Sequence, residues 1–175
     1  ILNSEAVLCG GGLVQNSQGS LILRNSSIFN NKSETEGGGI SVMAGNLEIY
    51  NSTIANNRAF GTDATGGGIE GVAKLNNVTV TGNFAAGSGG GIYGNVVMEN
   101  SILAQNDSVL GPDCYGNLTS NGYNIFGNTD GCNISVGAND LLDIDPKLNT
   151  FLPSRGYQPI KSNSPARNSA NSLTY

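Results

Sequence analysis

Glu48, Glu70 and Glu99 are the exposed acids that short extended segments in the first two-thirds of the chain offer for carbohydrate chemistry. Glycoside hydrolysis requires two carboxylates about 5–9.5 Å apart. A lyase requires a base, with a cation or an arginine to stabilise the developing enolate. Glu48 and Glu99 each lie just before a recurring Asn, but Asn76 occupies the corresponding place between them. Glu70 follows a glycine triplet and belongs to a different strand. The coils hold no Asp–Asp pair, and the chain has no His to act as a base. These acids therefore read as solvated surface groups. No catalytic residue is assigned, and the expected protein is not an enzyme.

Asp140, Asp143 and Asp145 form a denser acidic group whose oxygens have the chemistry of a calcium site. They lack the alternating Asp-x-Asp-x-Asp-Gly series. The competing reading is a cap at Asp140 and a turn at Asp145-Pro146. No metal or other cofactor is assigned, and calcium remains a weak candidate.

The three cysteines are Cys9, Cys114 and Cys132. Cys114 and Cys132 lie 18 residues apart, flanked by turn residues in Asp113-Cys114-Tyr115-Gly116 and Asp130-Gly131-Cys132. They read as a disulfide stapling a loop; the alternative is two free buried thiols. A zinc site lacks ligands, since there is no His and only three Cys. Cys9 is left over, either buried beside the first glycines or the partner of a cysteine outside this sequence. Cysteine usage of this kind favours an oxidising, extracellular setting. Seven Asn-x-Ser/Thr sequons, at Asn25, Asn31, Asn51, Asn77, Asn106, Asn117 and Asn133, are candidate glycosylation sites.

The scaffold that must position these groups is written as a repeat. Gly10-Gly11-Gly12-Leu13, Gly37-Gly38-Gly39-Ile40, Gly66-Gly67-Gly68-Ile69 and Gly89-Gly90-Gly91-Ile92 recur, each followed by an anchor Asn at 25, 51, 77 or 100. The anchors are 26, 26 and 23 residues apart, a period that marks stacked supersecondary units. Aligned on the anchors, three apolar columns appear: Leu21, Leu47, Ala73, Val96; Leu23, Ile49, Leu75, Met98; and Ile28, Ile54, Val80, Leu103. Polar residues such as Glu48, Asn76 and Glu99 alternate with them. Period-two alternation predicts short strands with one buried face. Each unit is too small to bury that face alone, so stacking of like on like, about 4.8 Å apart, must do it. Flexible linker is the alternative for the triplets, but linkers carry no in-register apolar columns.

The expected fold is all-β: a right-handed parallel β-helix (solenoid) with about four recognisable coils and a disulfide-stapled, loop-rich C-terminal cap. Residues 1–112 would form the coils, and residues 113–175 the C-terminal coils and capping segment of the same domain. Two Asn ladders are expected at the turns, one of Asn25, Asn51, Asn77 and Asn100, the other of Asn31, Asn57, Asn83 and Asn106. Stacked amides can bond along the axis and satisfy turn backbone. An outward rank of Ser27, Thr53, Thr79 and Ile102, beside Phe29, Ala55, Thr81 and Ala104, is too broken for a flat ice-binding face.

Net charge is −5, with eight scattered Lys and Arg and no basic stripe, so nucleic acid is not an expected partner. No apolar run reaches membrane-span length, so no membrane span is expected. The first residues already read as coil, which suggests a processed end or a cut from a longer solenoid. The first coil, around Ala6 to Val14, would then present strand edges to another copy of the chain or to an upstream coil.

Beyond Asn106 the order of motifs becomes more specific. Gly122-Tyr123-Asn124-Ile125-Phe126-Gly127 is followed by Asp140-Leu141-Leu142-Asp143-Ile144-Asp145-Pro146-Lys147-Leu148, then by Ser164-Pro165-Ala166. With the Gly-Gly-Gly-Ile and Asn-Ser-Thr-Ile coils, this resembles the bacterial choice-of-anchor Q, right-handed β-helix surface proteins. The glycine-triplet coils also resemble the polymorphic outer-membrane protein repeat. Here Ser-Pro-Ala continues as Arg167-Asn168-Ser169-Ala170, where that family runs on with an apolar-Asp-Ala-Gly pattern. The resemblance implies a secreted or surface-attached protein, and the sequons a glycoprotein where the host glycosylates. The expected function is thus an extracellular structural or adhesive β-helix of the cell surface or matrix, self-assembling into filaments or meeting surface glycans. The alternative is a fragment of a carbohydrate-binding or polysaccharide-degrading β-helix enzyme.

Overall fold

A computed structural model describes residues 1–171. It is all-β, with parallel sheets stacked as a solenoid of about five turns. The first wall stacks Leu13–Arg24, Ile40–Ala55, Ile69–Thr81, Ile92–Glu99, Cys114–Ser120 and Cys132–Ser135 in that order, each pair parallel. Two of these strands, Ile40–Ala55 and Ile69–Thr81, run on through a bend into the second wall. There they join Ser27–Phe29, Ile102–Ala104, Ile125–Phe126 and Leu141–Leu142. The third wall is a separate sheet of Glu5–Ala6, Lys32–Ser33, Arg58–Ala59, Phe84–Ser88 and Asp107–Leu110. Among the described residues no helix is long and apolar enough to cross a membrane.

The inward columns are those of the repeat. Leu47, Ala73 and Val96 stack with Leu118 in the next coil, and Ile49 with Leu75 and Met98. On the second wall Ile28, Ile54, Val80 and Leu103 are followed by Phe126. All these side chains are buried in one core. Each fully buried Leu or Ile contributes roughly 1.5–3 kcal/mol through the area it removes from water, so the axial stack is the main source of stability.

The walls meet at corners that sequence composition dictates. Asn25, Asn51, Asn77 and Asn100 all have φ of 47–56°, the left-handed region that Asn tolerates better than other non-glycine residues. Asn25, Asn51 and Asn77 do not bond to one another. The first expected Asn ladder is therefore a column of backbone corners, because the turn orients these side chains outward instead of along the axis.

The glycine triplets turn the chain between the third wall and the first. The third glycine of each triplet is required by close approach. A Cβ on Gly91 would lie 2.7 Å from the amide nitrogen of Asn106 and 2.5 Å from the Asp113 carbonyl oxygen. The series has a fifth member: Gly111-Pro112-Asp113-Cys114 occupies the next coil, with Gly111 at φ 62° and Cys114 paired with Ile92. The solenoid thus has about five turns, one more than the triplets alone mark.

The C-terminal segment folds back along the second wall. It closes on itself through antiparallel bridges Leu148–Ile160 and Leu152–Tyr157. Phe151 packs on Phe29 with ring centroids 4.9 Å apart, and the Gly156 carbonyl accepts the Ser27 hydroxyl at 2.5 Å. The broken Ser/Thr rank is thus partly roofed by protein, with Thr53 and Thr81 buried.

Candidate functional site

Two sets of stacked amides occupy this solenoid, and burial separates their chemistry. The inner set begins where Ser4 N–H donates to Asn31 Oδ1. The backbone N–H and Nδ2 of Asn31 both donate to Asn57 Oδ1, at 3.0 Å each. Asn57 repeats this on Asn83, and Asn83 on Asn106. The second Nδ2 hydrogens of Asn57, Asn83 and Asn106 go to the carbonyls of Ile28, Ile54 and Val80. Every amide in this second expected ladder is buried and bonded on both sides.

An aspartate ends the inner ladder. In the fifth coil Asp113 stands where the third glycine stood, and its carboxylate takes the place of the next Asn. Oδ1 accepts from Asn106 N–H and Nδ2 at 2.9 and 2.8 Å, and Oδ2 from Asn128 N–H at 2.8 Å. Burial pushes its pKa up to about 6, against the pull of those hydrogen bonds. A shorter ladder follows the corner: Ser101 N–H donates to Asn124 Oδ1, and Asn124 N–H to Asp140 Oδ1, both at 2.9 Å. Asp140 Oδ2 also accepts Gly137 N–H.

This geometry settles where the acidic candidates point. Asp140 terminates a ladder, as its capping reading expects. Asp143 accepts the Thr129 amide and hydroxyl, and Asp145 accepts the Lys147 amide. The three carboxylates serve different loops, and no group of three or more metal-ligating side chains converges among the described residues. Glu48 receives the Tyr50 hydroxyl at 2.7 Å and faces Lys74 Nζ at 3.9 Å. That bond, above all, raises the Tyr50 pKa. Glu99 accepts from Asn76 Nδ2 at 3.2 Å. Glu70 is half-buried, accepts the Ser41 hydroxyl, and has its pKa raised mainly by burial and then by Glu36. The register sets Glu48 and Glu99 two coils and two residues apart, roughly 12 Å along the backbone from standard strand spacings.

Cys114 and Cys132 form the expected disulfide between adjacent coils, while Cys9 is a free, half-buried thiol. Among the sequons, Asn31 and Asn106 are buried in the inner ladder, where no glycan can be attached without breaking it. Asn25 and Asn51 are exposed at corners, Asn77 is half-buried, and Asn117 and Asn133 are exposed on the first wall.

The outer set of amides lies on that wall and is absent from the sequence reading. Asn117 Nδ2 donates to Asn95 Oδ1 at 2.8 Å, and Asn133 Nδ2 to Asn117 Oδ1 at 2.9 Å; all three residues are exposed. Two residues earlier in the same strands, the Tyr93 and Tyr115 rings stack with centroids 5.7 Å apart and planes 4° from parallel. Between ring and amide runs a glycine column, Gly71, Gly94 and Gly116, with φ of 112–134°. A Cβ on Gly94 would lie 2.2 Å from the Gly71 carbonyl oxygen, so only glycine allows the coils to stack through this kink. Beside it lies a shallow groove of about 200 Å³, lined by Glu48, Val72, Lys74, Asn95, Asn117 and Thr119 among others. The available signal was Gly111-Pro112-Asp113-Cys114 read as a fifth triplet, which aligns Tyr115 with Tyr93 and Asn117 with Asn95.

No family model matches this chain, and neither a curated protein nor a solved structure matches it significantly.

Proposed function

We propose that this chain is an extracellular structural or adhesive β-solenoid, a non-catalytic presenter of one long, rigid wall. The observation that carries this reading is the outer amide ladder with its stacked tyrosines. Polar and aromatic groups are held there in register by the stacked apolar core and its buried Asn ladder, and are exposed to solvent. The disulfide between coils supports an oxidising setting, as does the motif resemblance to bacterial surface β-helix proteins. Co-sedimentation of labelled protein with isolated cell envelopes and with extracellular matrix material tests it. Saturable co-sedimentation is expected; protein that stays in the supernatant at every load contradicts the adhesive reading.

A second reading is axial assembly. Ile1, Leu2, Val7 and Leu8 in the first coil are each at least half exposed. They favour the stacking of a further coil, from a longer chain or from another copy. Light scattering of Val7→Lys against the parent chain tests it. Assembly that Lys disperses supports the reading; a monomer at high concentration contradicts assembly of this chain.

A further inference from the structure

The geometry points to the wall bearing Tyr115, Asn117 and Asn133 as a binding site for a neutral glycan chain. This deepens the adhesive reading and rests on it. Tyr115 is 39% exposed although one ring face is stacked on Tyr93. By the register of the next coil, the residue facing Tyr115 is Gly131, which carries no side chain to cover the ring. An open, immobilised aromatic face with its negative quadrupole suits the C–H face of a sugar ring. Tyrosine holds such a surface at small entropic cost, having only two side-chain torsions.

The amides beside it supply the polar half of a sugar site. Within the ladder Asn117 and Asn133 each use one Nδ2 hydrogen, and Asn95 and Asn117 each use one Oδ1 lone pair. An Asn amide has two of each, so spare donors and acceptors face solvent one coil apart. Paired hydroxyls need that mixture, being donors and acceptors together. Ring and amides stand two residues apart on the same strands with only the glycine column between them, so one ligand can reach both.

Charge selects among polymers. The ionised groups of this wall are Glu48, Glu70 and Glu99 against Lys74 and Arg24, and the Lys74 ammonium already faces Glu48. No basic cluster is offered to uronates, sulfates or phosphodiesters, which need one. A neutral polysaccharide loses nothing on such a surface.

The test is affinity electrophoresis of the whole chain through gels containing neutral polysaccharides (hydroxyethyl cellulose, galactomannan, xyloglucan) or, separately, polygalacturonate. At least one neutral polymer should retard the parent chain. Tyr115→Ala should weaken that binding about 10-fold, the scale of one lost aromatic contact with its hydrogen-bonded neighbour. Tyr115→Phe should retain it, and Asn117→Ala should weaken it less than Tyr115→Ala does. Tyr50→Ala, three coils away on the same wall, should change nothing, and thermal melts confirm that each variant folds. No retardation by any neutral polymer overturns the inference, as does retardation by polygalacturonate alone or neutral binding indifferent to Tyr115→Ala and Asn117→Ala. If the parent chain still co-sediments with envelopes while no neutral polymer retards it, the glycan site fails and the adhesive reading stands.

Discussion

Asn83 and Asn117 are the same residue in the same kind of column, one inside the solenoid and one outside. Both donate an amide hydrogen to an Asn in a neighbouring coil at 2.8–2.9 Å. Inside, the bond is one of a closed set: Asn83 Oδ1 accepts both the N–H and Nδ2 of Asn57, and its own Nδ2 also reaches the Ile54 carbonyl. Outside, Asn117 spends one donor and one acceptor on the ladder and leaves the other half of its bonding capacity free. The lesson is that burial, not bond length, decides what an amide ladder is for. A buried ladder is indispensable because each broken bond leaves an unsatisfied group in a low-dielectric interior. An exposed one adds little to stability and remains available to a ligand.

Breaking the inner ladder should have the largest effect. Asn83→Ala strands the N–H and Nδ2 of Asn57 and the Ile54 carbonyl together. At about 1–3 kcal/mol for each stranded group, and with partial relaxation, the expected loss is about 4 kcal/mol in urea unfolding. A loss below about 1 kcal/mol would show that the interior does not depend on the ladder.

The staple just below it comes next. The disulfide joins Cys114, at the inward position after the ladder-ending Asp113, to Cys132 in the following coil. Cys132→Ser should cost about 3 kcal/mol, as expected for closing a loop of this size. Intact mass should rise by the mass of two hydrogens on reduction of the parent chain. An unchanged mass on reduction would refute the bridge.

Acidity then probes the ladder's charged end. The folded pKa of Asp113, about 6, lies above the ordinary carboxyl value of 3.8. The folded state thus binds the proton more tightly than the unfolded chain does. Its contribution to stability falls as pH rises through the window between these values, the reverse of a salt-bridged carboxylate. The difference in unfolding free energy between parent and Asp113→Asn should shift by roughly 2–3 kcal/mol in favour of the parent from pH 7.5 to pH 4. No change in that difference across the window would show that Asp113 does not titrate as a buried acid.

The smallest effect belongs to the outer ladder. Asn117→Ala should change stability by less than about 0.5 kcal/mol, the ordinary scale for an exposed substitution. A loss comparable to that of Asn83→Ala would make the outer ladder structural too.

Much of this was legible in the sequence because repetition is a strong signal. The Leu, Ile and Asn columns gave strands, inward faces and the inner ladder residue by residue, since identical coils must place identical residues alike. Other features failed where one residue of a column changes type. Asp113 replaces a glycine, which hides the fifth triplet and the ladder's terminus from the repeat pattern. Cys114 replaces an aliphatic residue and reads as loop chemistry, although it also fills a core position. The anchor Asn column was correctly found, but its role is a left-handed φ, which composition does not distinguish from a side-chain ladder. The outer wall was least legible, because Val72, Asn95, Asn117 and Asn133 become a column only once the Gly71, Gly94 and Gly116 kink fixes the register.

Side-chain amide hydrogen exchange, followed by NMR in the free protein, tests the distinction between the two ladders most directly. The Nδ2 hydrogens of Asn57 and Asn83 should exchange only with large-scale opening, far more slowly than those of Asn117 and Asn133, which should exchange at rates near those of a solvated amide. Equal rates in the two sets, fast or slow, would contradict the division of one bonding pattern into a buried support and an exposed face.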